Sequence, residues 1–141
     1  MSATKYGRYI TTECVKPNPR ASGAYVTSTR HLGSFGGGEL SIDCIYITRP
    51  HLMITQPHRH EFAQYLSFFS SNPNNATDFD AEIEVTLGEE LERHIITCPA
   101  SVYLPAGLSH GPLNFVRIGR PVLFLDIAVT GHYSRVGNTP D

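Results

Sequence analysis

Short runs of alternating polar and apolar residues dominate this chain and predict β-strands. The clearest run is 82–87, where polar and apolar residues alternate without a break, as in a strand with one buried face. Runs rich in β-branched and aromatic residues predict further strands at 42–48, 94–97, 101–104 and 122–127. Glycine and proline separate the runs at short intervals, and no long stretch has the 3.6-residue period of a helix. We therefore expect an all-β fold, an antiparallel jelly-roll β-barrel.

The length of 141 residues suits one domain, which we place at 1–141 with a core at about 40–128. The first ~20 residues and the last ~10 predict loosely attached N- and C-terminal arms. The glycines at 36–38 lack the following Lys-Ser/Thr of a phosphate-binding loop, so they predict a turn or bulge. Residues 70–80 predict an exposed connection, with a lid over a site as the alternative.

Charge and composition narrow the classes of partner. The formal net charge of −2 and the lack of a basic run give no indication of a nucleic-acid or anionic-membrane partner. No apolar run approaches the roughly 18 residues of a membrane span. Cys14, Cys44 and Cys98 are odd in number and far apart, so we expect free thiols. Because the N-terminus shows no secretory signal pattern, we expect a cytoplasmic location.

The candidate chemistry lies in two histidine-containing segments. His58 and His60 share a face if residues 57–69 form a strand, and Gln64 falls on that face as well. His110 arrives on a second segment, just after a Pro-x-Gly turn. Three imidazoles and one carbonyl oxygen that converge inside a barrel form a site for a first-row transition metal. We therefore predict one divalent metal ion bound by His58, His60, Gln64 and His110.

Two alternatives remain open for the first segment. Glu61 is a more conventional hard ligand than Gln64, but in a strand it points to the opposite face. In a helix, which the helix formers of this segment permit, His60 and Gln64 would share a face and His58 would lie elsewhere. The aromatic residues at 65–70 favour the strand.

Both segments resemble motifs of the cupin superfamily. The first family motif runs roughly G-x5-H-x-H-x3,4-E-x6-G, and residues 57–64, PHRHEFAQ, are similar to its centre. The second runs G-x5-P-x-G-x2-H-x3-N, and residues 105–114, PAGLSHGPLN, match it from the proline onward. The combination in a strand-rich chain is far more specific than H-x-H alone. The resemblance covers roughly residues 40–128 and implies a cupin-like barrel.

The departures from these motifs concern turns and one ligand. Leu52, Ser71 and Pro99 stand where the family has glycine, which affects turns more than the site. Gln64 replaces the family glutamate, and similar cupins with three histidines and one glutamine bind metal. Four neutral ligands leave the full divalent charge on the metal, which strengthens its Lewis acidity. Imidazole ligands suit Fe, Mn, Zn, Ni, Co and Cu alike, so they do not identify the metal.

The resemblance implies a metal-dependent enzyme that acts on a small polar acid, keto or enolisable compound, of isomerase, lyase or dioxygenase type. The alternative is a non-catalytic cupin that binds or senses a small molecule, since one fold serves many functions. The expected partners are a small-molecule ligand and a second copy of the chain. In a homodimer, apolar residues near the N-terminus, such as Tyr9 and Ile10, would contact the neighbour.

The sequence leaves the general acid or base open. Four histidines could supply a base near the metal, although surface or packing roles are the simpler interpretation: His31, His51, His94 and His132. His94 is the strongest of these, because its strand could be aimed inward. Tyr46 and Tyr103 could line a pocket, with packing as the simpler role. Asp126 interrupts an apolar strand, so it faces either solvent or the barrel mouth.

Overall fold

β-Strands make up nearly all the regular structure in the part of the chain that the structure describes. The computed structural model describes residues 4–12, 25–31, 40–130 and 136. Within these ranges a short 3-10 helix, Gly7–Tyr9, precedes the strands. The strands are β1 (Tyr25–His31), β2 (Ser41–Ile47), β3 (His51–Ile54), β4 (Gln64–Ser70), β5 (Ala81–Leu87), β6 (Glu92–Ile96), β7 (Ala100–Leu104), β8 (His110–Ile118) and β9 (Val122–Ala128). Cys14, the glycines at 36–38 and His132 lie outside the described residues.

The strands form two antiparallel sheets, with the orders β1-β2-β9-β4-β7 and β3-β8-β5-β6. Successive strands such as β4 and β5 lie in different sheets, so the chain passes repeatedly between two layers, as in a jelly roll. The predicted all-β jelly roll is therefore confirmed. The expectation of a closed barrel needs correction, because no described strand of one sheet pairs with a strand of the other. Packing of side chains between the layers holds the two sheets together.

An aromatic trio joins the two layers at the centre of the core. Phe68 on β4 stacks on Phe124 of the neighbouring β9, with ring centroids 5.1 Å apart. Phe115 on β8, in the other sheet, meets Phe68 at 6.0 Å and Phe124 at 5.7 Å, edge to face in both cases. All three are at most 1% exposed. Aromatic pairs of this geometry add to the stabilisation that burial of their area supplies.

The strand pattern of the sequence is confirmed at β2, β5, β6, β7 and β9, close to the predicted bounds. The strands β3 and β8 were not predicted, and β1 extends the first sheet by pairing with β2 ahead of the predicted core. In the predicted strand 57–69, regular strand begins only at Gln64, and residues 61–62 form a bend. The helical alternative for this segment is wrong.

The connection at 71–80 lies at the end of β4 away from Gln64. Ser70 Oγ donates a hydrogen bond to the carbonyl oxygen of Asp78 at 2.6 Å, and Asp78 pairs with Arg120 at 3.0 Å. These contacts hold the connection against the end of β4, where it begins, and against the turn between β8 and β9. Since β4 runs from Gln64 to Ser70, roughly 20 Å separates the connection from Gln64. These contacts and this separation favour the connection over the lid alternative.

Phe124→Ala tests the role of the aromatic trio. The substitution removes a ring that packs on both sheets, so we expect it to lower the free energy of unfolding by about 3–5 kcal/mol. Urea unfolding followed by circular dichroism measures the loss. Phe69→Ala is the matched control, because Phe69 lies on the outer face of β4 and is 38% exposed. Similar losses for the two variants would contradict a core built on the trio.

Candidate metal centre

The backbones of the two histidine segments are paired directly. The amide of His58 donates to the carbonyl oxygen of His110 at 2.9 Å, and the amide of His110 donates to that of His58 at 2.9 Å. The amide of Gly107 also donates to the carbonyl oxygen of His60 at 2.8 Å. The reciprocal bonds of His58 and His110 form an isolated antiparallel bridge outside the named ladders. Residues far apart in sequence are therefore held side by side by main-chain bonds.

Two glycines beside His110 allow this close approach. Gly107 has φ +87° in a turn closed by a 3.1 Å hydrogen bond from the Leu108 amide to the Pro105 carbonyl oxygen, so a residue with a side chain would be strained there. Gly111 has φ +108°, and a Cβ on it would lie 2.9 Å from the carbonyl oxygen of Gln56. The segment that leads into His58 thus lies directly against Gly111, with no room for a side chain between them.

Burial along the first segment follows the predicted alternation, although the segment is not a continuous strand. His58, His60 and Gln64 are buried at 7%, 2% and 2% exposure. Arg59 and Glu61 are exposed. The bend at 61–62 therefore leaves the alternation intact, and Glu61 points away from the buried histidines, as the parity argument expects.

The three histidine rings form one buried cluster. Ring centroids lie 4.4 Å apart for His58 and His110, 4.9 Å for His58 and His60, and 5.3 Å for His60 and His110. One ring nitrogen from each histidine lies within 4.8 Å of the others. His110 is 3% exposed. Phe62 stacks on the His60 ring at 4.7 Å with an interplanar angle of 19°, and so supports one side of the cluster.

Main-chain carbonyls orient two of the rings. His110 Nδ1 lies 3.0 Å from the carbonyl oxygen of Leu108, and His58 Nδ1 lies 3.5 Å from that of Gln56. A carbonyl accepts only from a protonated nitrogen, so the His110 contact places the ring proton on Nδ1. When the ring is neutral, its buried Nε2 then carries the lone pair. A neutral imidazole in this tautomer is a metal donor through Nε2.

Gln64 is buried at the start of β4 and is bonded to a residue whose role the sequence did not reveal. It pairs in register with Leu104, the residue that precedes the turn of Gly107. Its Nε2 donates to Asp126 Oδ1 at 2.5 Å, and its Oε1 is buried without a hydrogen-bond partner. Alternation along β9 decides between the two orientations that the sequence left open for Asp126, because 126 shares the inward face of the buried residues 122, 124 and 128.

Among the residues whose side chains the structure describes, the other candidate bases lie on strands away from the cluster. His94 stands on β6 with its side chain 51% exposed, and its Nε2 lies 2.6 Å from Glu92 Oε1. Tyr46 and Tyr103 are 37% and 54% exposed on the outer face of the first sheet, so neither lines an interior pocket. His51 is half-buried on β3, where burial, followed by the charge of Arg49, lowers its pKa below the usual 6.5. The side chain of His31 lies outside the described residues.

Structural comparison gives the fold class. The polyketide cyclase RemF from Streptomyces resistomycificus superposes with a TM-score of 0.53 and 13% identity, over 87% of this chain and 77% of that one. Bacillus subtilis oxalate decarboxylase, a protein with Mn(II) centres, gives 0.50 and 16%, over 82% and 28%. A cupin-superfamily sugar phosphate isomerase from Silicibacter pomeroyi gives 0.49 and 15%, over 73% and 58%. The likeness to RemF and to part of oxalate decarboxylase gives this chain a cupin-like fold, as its two motifs led us to expect.

The likeness to these proteins is structural and covers part of their length. This chain spans 28% of the oxalate decarboxylase and 58% of the isomerase. No family model matches the sequence, and no curated protein matches it either.

Two expectations from the composition can be compared with the structure. Cys44 is half-buried and Cys98 is exposed, and both are free thiols, as predicted. In the described ranges, no helix combines the length and the apolarity needed to cross a bilayer.

Gly111→Ala tests the close approach of the two segments. Gly107→Ala is its control, because both glycines have positive φ but a Cβ on Gly107 meets nothing within 4 Å. Backbone strain alone should cost about 1–2 kcal/mol at either position. At Gly111, the contacts with Gln56 and Ile54 should add about 1–3 kcal/mol. Urea unfolding of the two variants measures the difference, and equal losses would show that the steric contact at Gly111 is unimportant.

Proposed function

We propose that this chain is a metal-dependent cupin enzyme that acts on a small oxygenated compound. Its ligands for one divalent transition metal ion would be His58, His60, His110 and Gln64. The observation that carries the proposal is the buried cluster of three imidazoles with donor atoms within 4.8 Å of one another. Proteins of similar fold include a decarboxylase with Mn(II) centres and a polyketide cyclase, which is in keeping with this class of function.

The chemistry of the donors fits a metal ion. The tautomer of His110 leaves a lone pair on its buried Nε2. The amide oxygen Gln64 Oε1 is buried without a hydrogen-bond partner, a state that costs free energy unless another group compensates it. An ion bound by these atoms would satisfy the buried oxygen and use the imidazole lone pair together.

The surroundings of the cluster would favour polar chemistry on a bound substrate. A metal ion with four neutral ligands would act as a Lewis acid on a carbonyl, carboxylate or enol oxygen. The chain would contribute ligand positioning and the exclusion of bulk water, since the four side chains are only 2–7% exposed. Charge interactions are stronger in such a dry site than in water. His58 is the most exposed ligand, so we propose that a compound of few atoms enters on its side.

The substrate class we propose is a small polar acid, keto or enolisable compound, and the reaction type an isomerisation, a lyase step or a dioxygenation. A thermal-shift screen of such compounds on untagged, metal-loaded protein would find ligands. Each ligand is then incubated with the protein and followed by proton nuclear magnetic resonance. New product signals that depend on the metal would support an enzyme.

A binding or sensing protein without turnover is the alternative. The position of the candidate bases favours it, because His94, Tyr46 and Tyr103 are all substantially exposed away from the cluster. The same screen separates the two functions. A compound that stabilises the loaded protein and is recovered unchanged would support the binding protein, and would contradict the enzyme for that compound.

Replacement of the proposed ligands tests the site. We expect His58→Ala, His60→Ala and His110→Ala each to remove most of the metal, because a cluster that lacks one imidazole loses a strong donor. Gln64→Ala should weaken binding less, since water can replace an amide oxygen. Elemental analysis of untagged protein measures occupancy.

Glu61→Ala is the control for these ligand variants, because Glu61 is exposed on the opposite side of the segment. It should keep wild-type occupancy. Loss of metal from Glu61→Ala with retention in Gln64→Ala would overturn the ligand assignment.

We also propose a homodimer that uses the N-terminal region. Tyr9 and Ile10 are 58% and 73% exposed, and β1 lies at the end of its sheet in the described part of the chain. An edge strand offers unpaired backbone groups to a second copy. Ile10→Glu should therefore shift sedimentation toward the monomer, whereas Leu91→Glu, at a site that is 55% exposed on the β5–β6 turn, should not. A wild-type protein that stays monomeric at high concentration would contradict the dimer.

A further inference from the structure

We propose that Asp126 is a positioning residue that fixes which end of the Gln64 amide is available as a ligand. The inference rests on the proposed metal site and adds a residue to it. The two side chains meet at a hydrogen bond of 2.5 Å from Gln64 Nε2 to Asp126 Oδ1. The other end of the amide, Oε1, is buried without a hydrogen-bond partner, and Gln64 as a whole is 2% exposed.

The two ends of a carboxamide are similar in size but opposite in chemistry. Its oxygen has lone pairs that bind a metal ion, whereas its NH₂ group has hydrogens and donates only. Packing alone therefore does not choose between the two orientations. The carboxylate of Asp126 selects one orientation of the amide, because it accepts hydrogen bonds and donates none. The reversed amide would place Gln64 Oε1 against Asp126 Oδ1, two oxygens that repel at this separation.

The sheet sets the position of both partners. Asp126 pairs in register with Leu66 on β4, and Gln64 pairs with Ala128, so the two polar side chains lie diagonally across neighbouring strands. Both occupy inward positions of their strands. The bond thus links two regular strands at the core of the first sheet, and a geometry held by strands is more rigid than one held by loops.

The hydrogen bond also improves Gln64 as a donor. A carboxylate that accepts from the NH₂ group draws the amide toward the form with more negative charge on oxygen. The negative charge of Asp126 then lies next to Gln64, at the end of the amide opposite the proposed ligand atom Oε1. Metal-site partners of this outer kind commonly change metal affinity by 10–100-fold when they are replaced.

A four-variant comparison with Co²⁺ as the probe tests the inference. Dissociation constants come from competition with a chelator, and the visible spectrum of bound Co²⁺ reports the ligand set. Asp126→Asn keeps the shape but can donate as well as accept, so the amide is no longer fixed, and we expect affinity to fall about tenfold or more. Gln64→Glu places two carboxylates together and should also weaken binding.

The double variant Gln64→Glu with Asp126→Asn restores a matched pair, because the new amide NH₂ donates to the new carboxylate. It should bind Co²⁺ more tightly than either single variant, which a general loss of packing would not produce. Asp43→Asn is the charge control, since Asp43 pairs with Asp126 in register on β2 and carries the same charge. Its Co²⁺ affinity and spectrum should change much less. Unfolding of each metal-free variant checks that the fold is kept.

Each outcome separates this inference from the proposed function. Wild-type protein that binds no Co²⁺ overturns the metal site itself, and the role of Asp126 with it. Wild-type binding together with unchanged affinity in Asp126→Asn overturns the positioning role alone. A double variant no better than Gln64→Glu, or an Asp43→Asn variant as weak as Asp126→Asn, would likewise reject orientation as the cause.

Discussion

The reciprocal backbone hydrogen bonds between His58 and His110 are the constraint on which the candidate metal centre depends. They are main-chain bonds, so they fix the separation of the two segments independently of the side chains. The imidazoles then need only the rotamers that their carbonyl partners select. Gly111 makes the approach possible, and Gly107 ties the next turn to His60. The cluster is thus a consequence of how two backbones pair.

The distribution of charge around the cluster is a second organising feature. The four proposed ligands are neutral, yet a carboxylate stands immediately behind one of them. This arrangement differs from a site in which the carboxylate is itself a ligand, because the charge acts through an oriented amide. The hydrogen bond between Gln64 and Asp126 therefore sets both the orientation of the ligand and the charge behind it. The register of β4 and β9 fixes the position of both side chains.

Much of the fold and of the site could be predicted from the sequence, and the exceptions have physical causes. Alternation predicted β5 and the inward burial of His58, His60 and Gln64. It could not predict β8, because Gly111-Pro112 has the composition of a turn and becomes strand only through its pairing with β3 and β5. The bend at 61–62 follows a main-chain bond from Gly107 to His60, a contact between residues far apart in sequence. Asp126 was visible as a polar interruption, but its partner lies on another strand, and sequence spacing does not reveal cross-strand neighbours.

The pairing of His58 with His110 also bears on how the protein matures. The β5–β6 hairpin is local and can form early, whereas the contact between the histidine segments closes a long loop and requires β8 to be in place. The complete donor set therefore exists only after non-local folding is finished. An ion that binds the finished set draws the folding equilibrium toward the native chain by mass action. If the proposed ion is bound, the free energy of unfolding therefore rises with the free concentration of that ion.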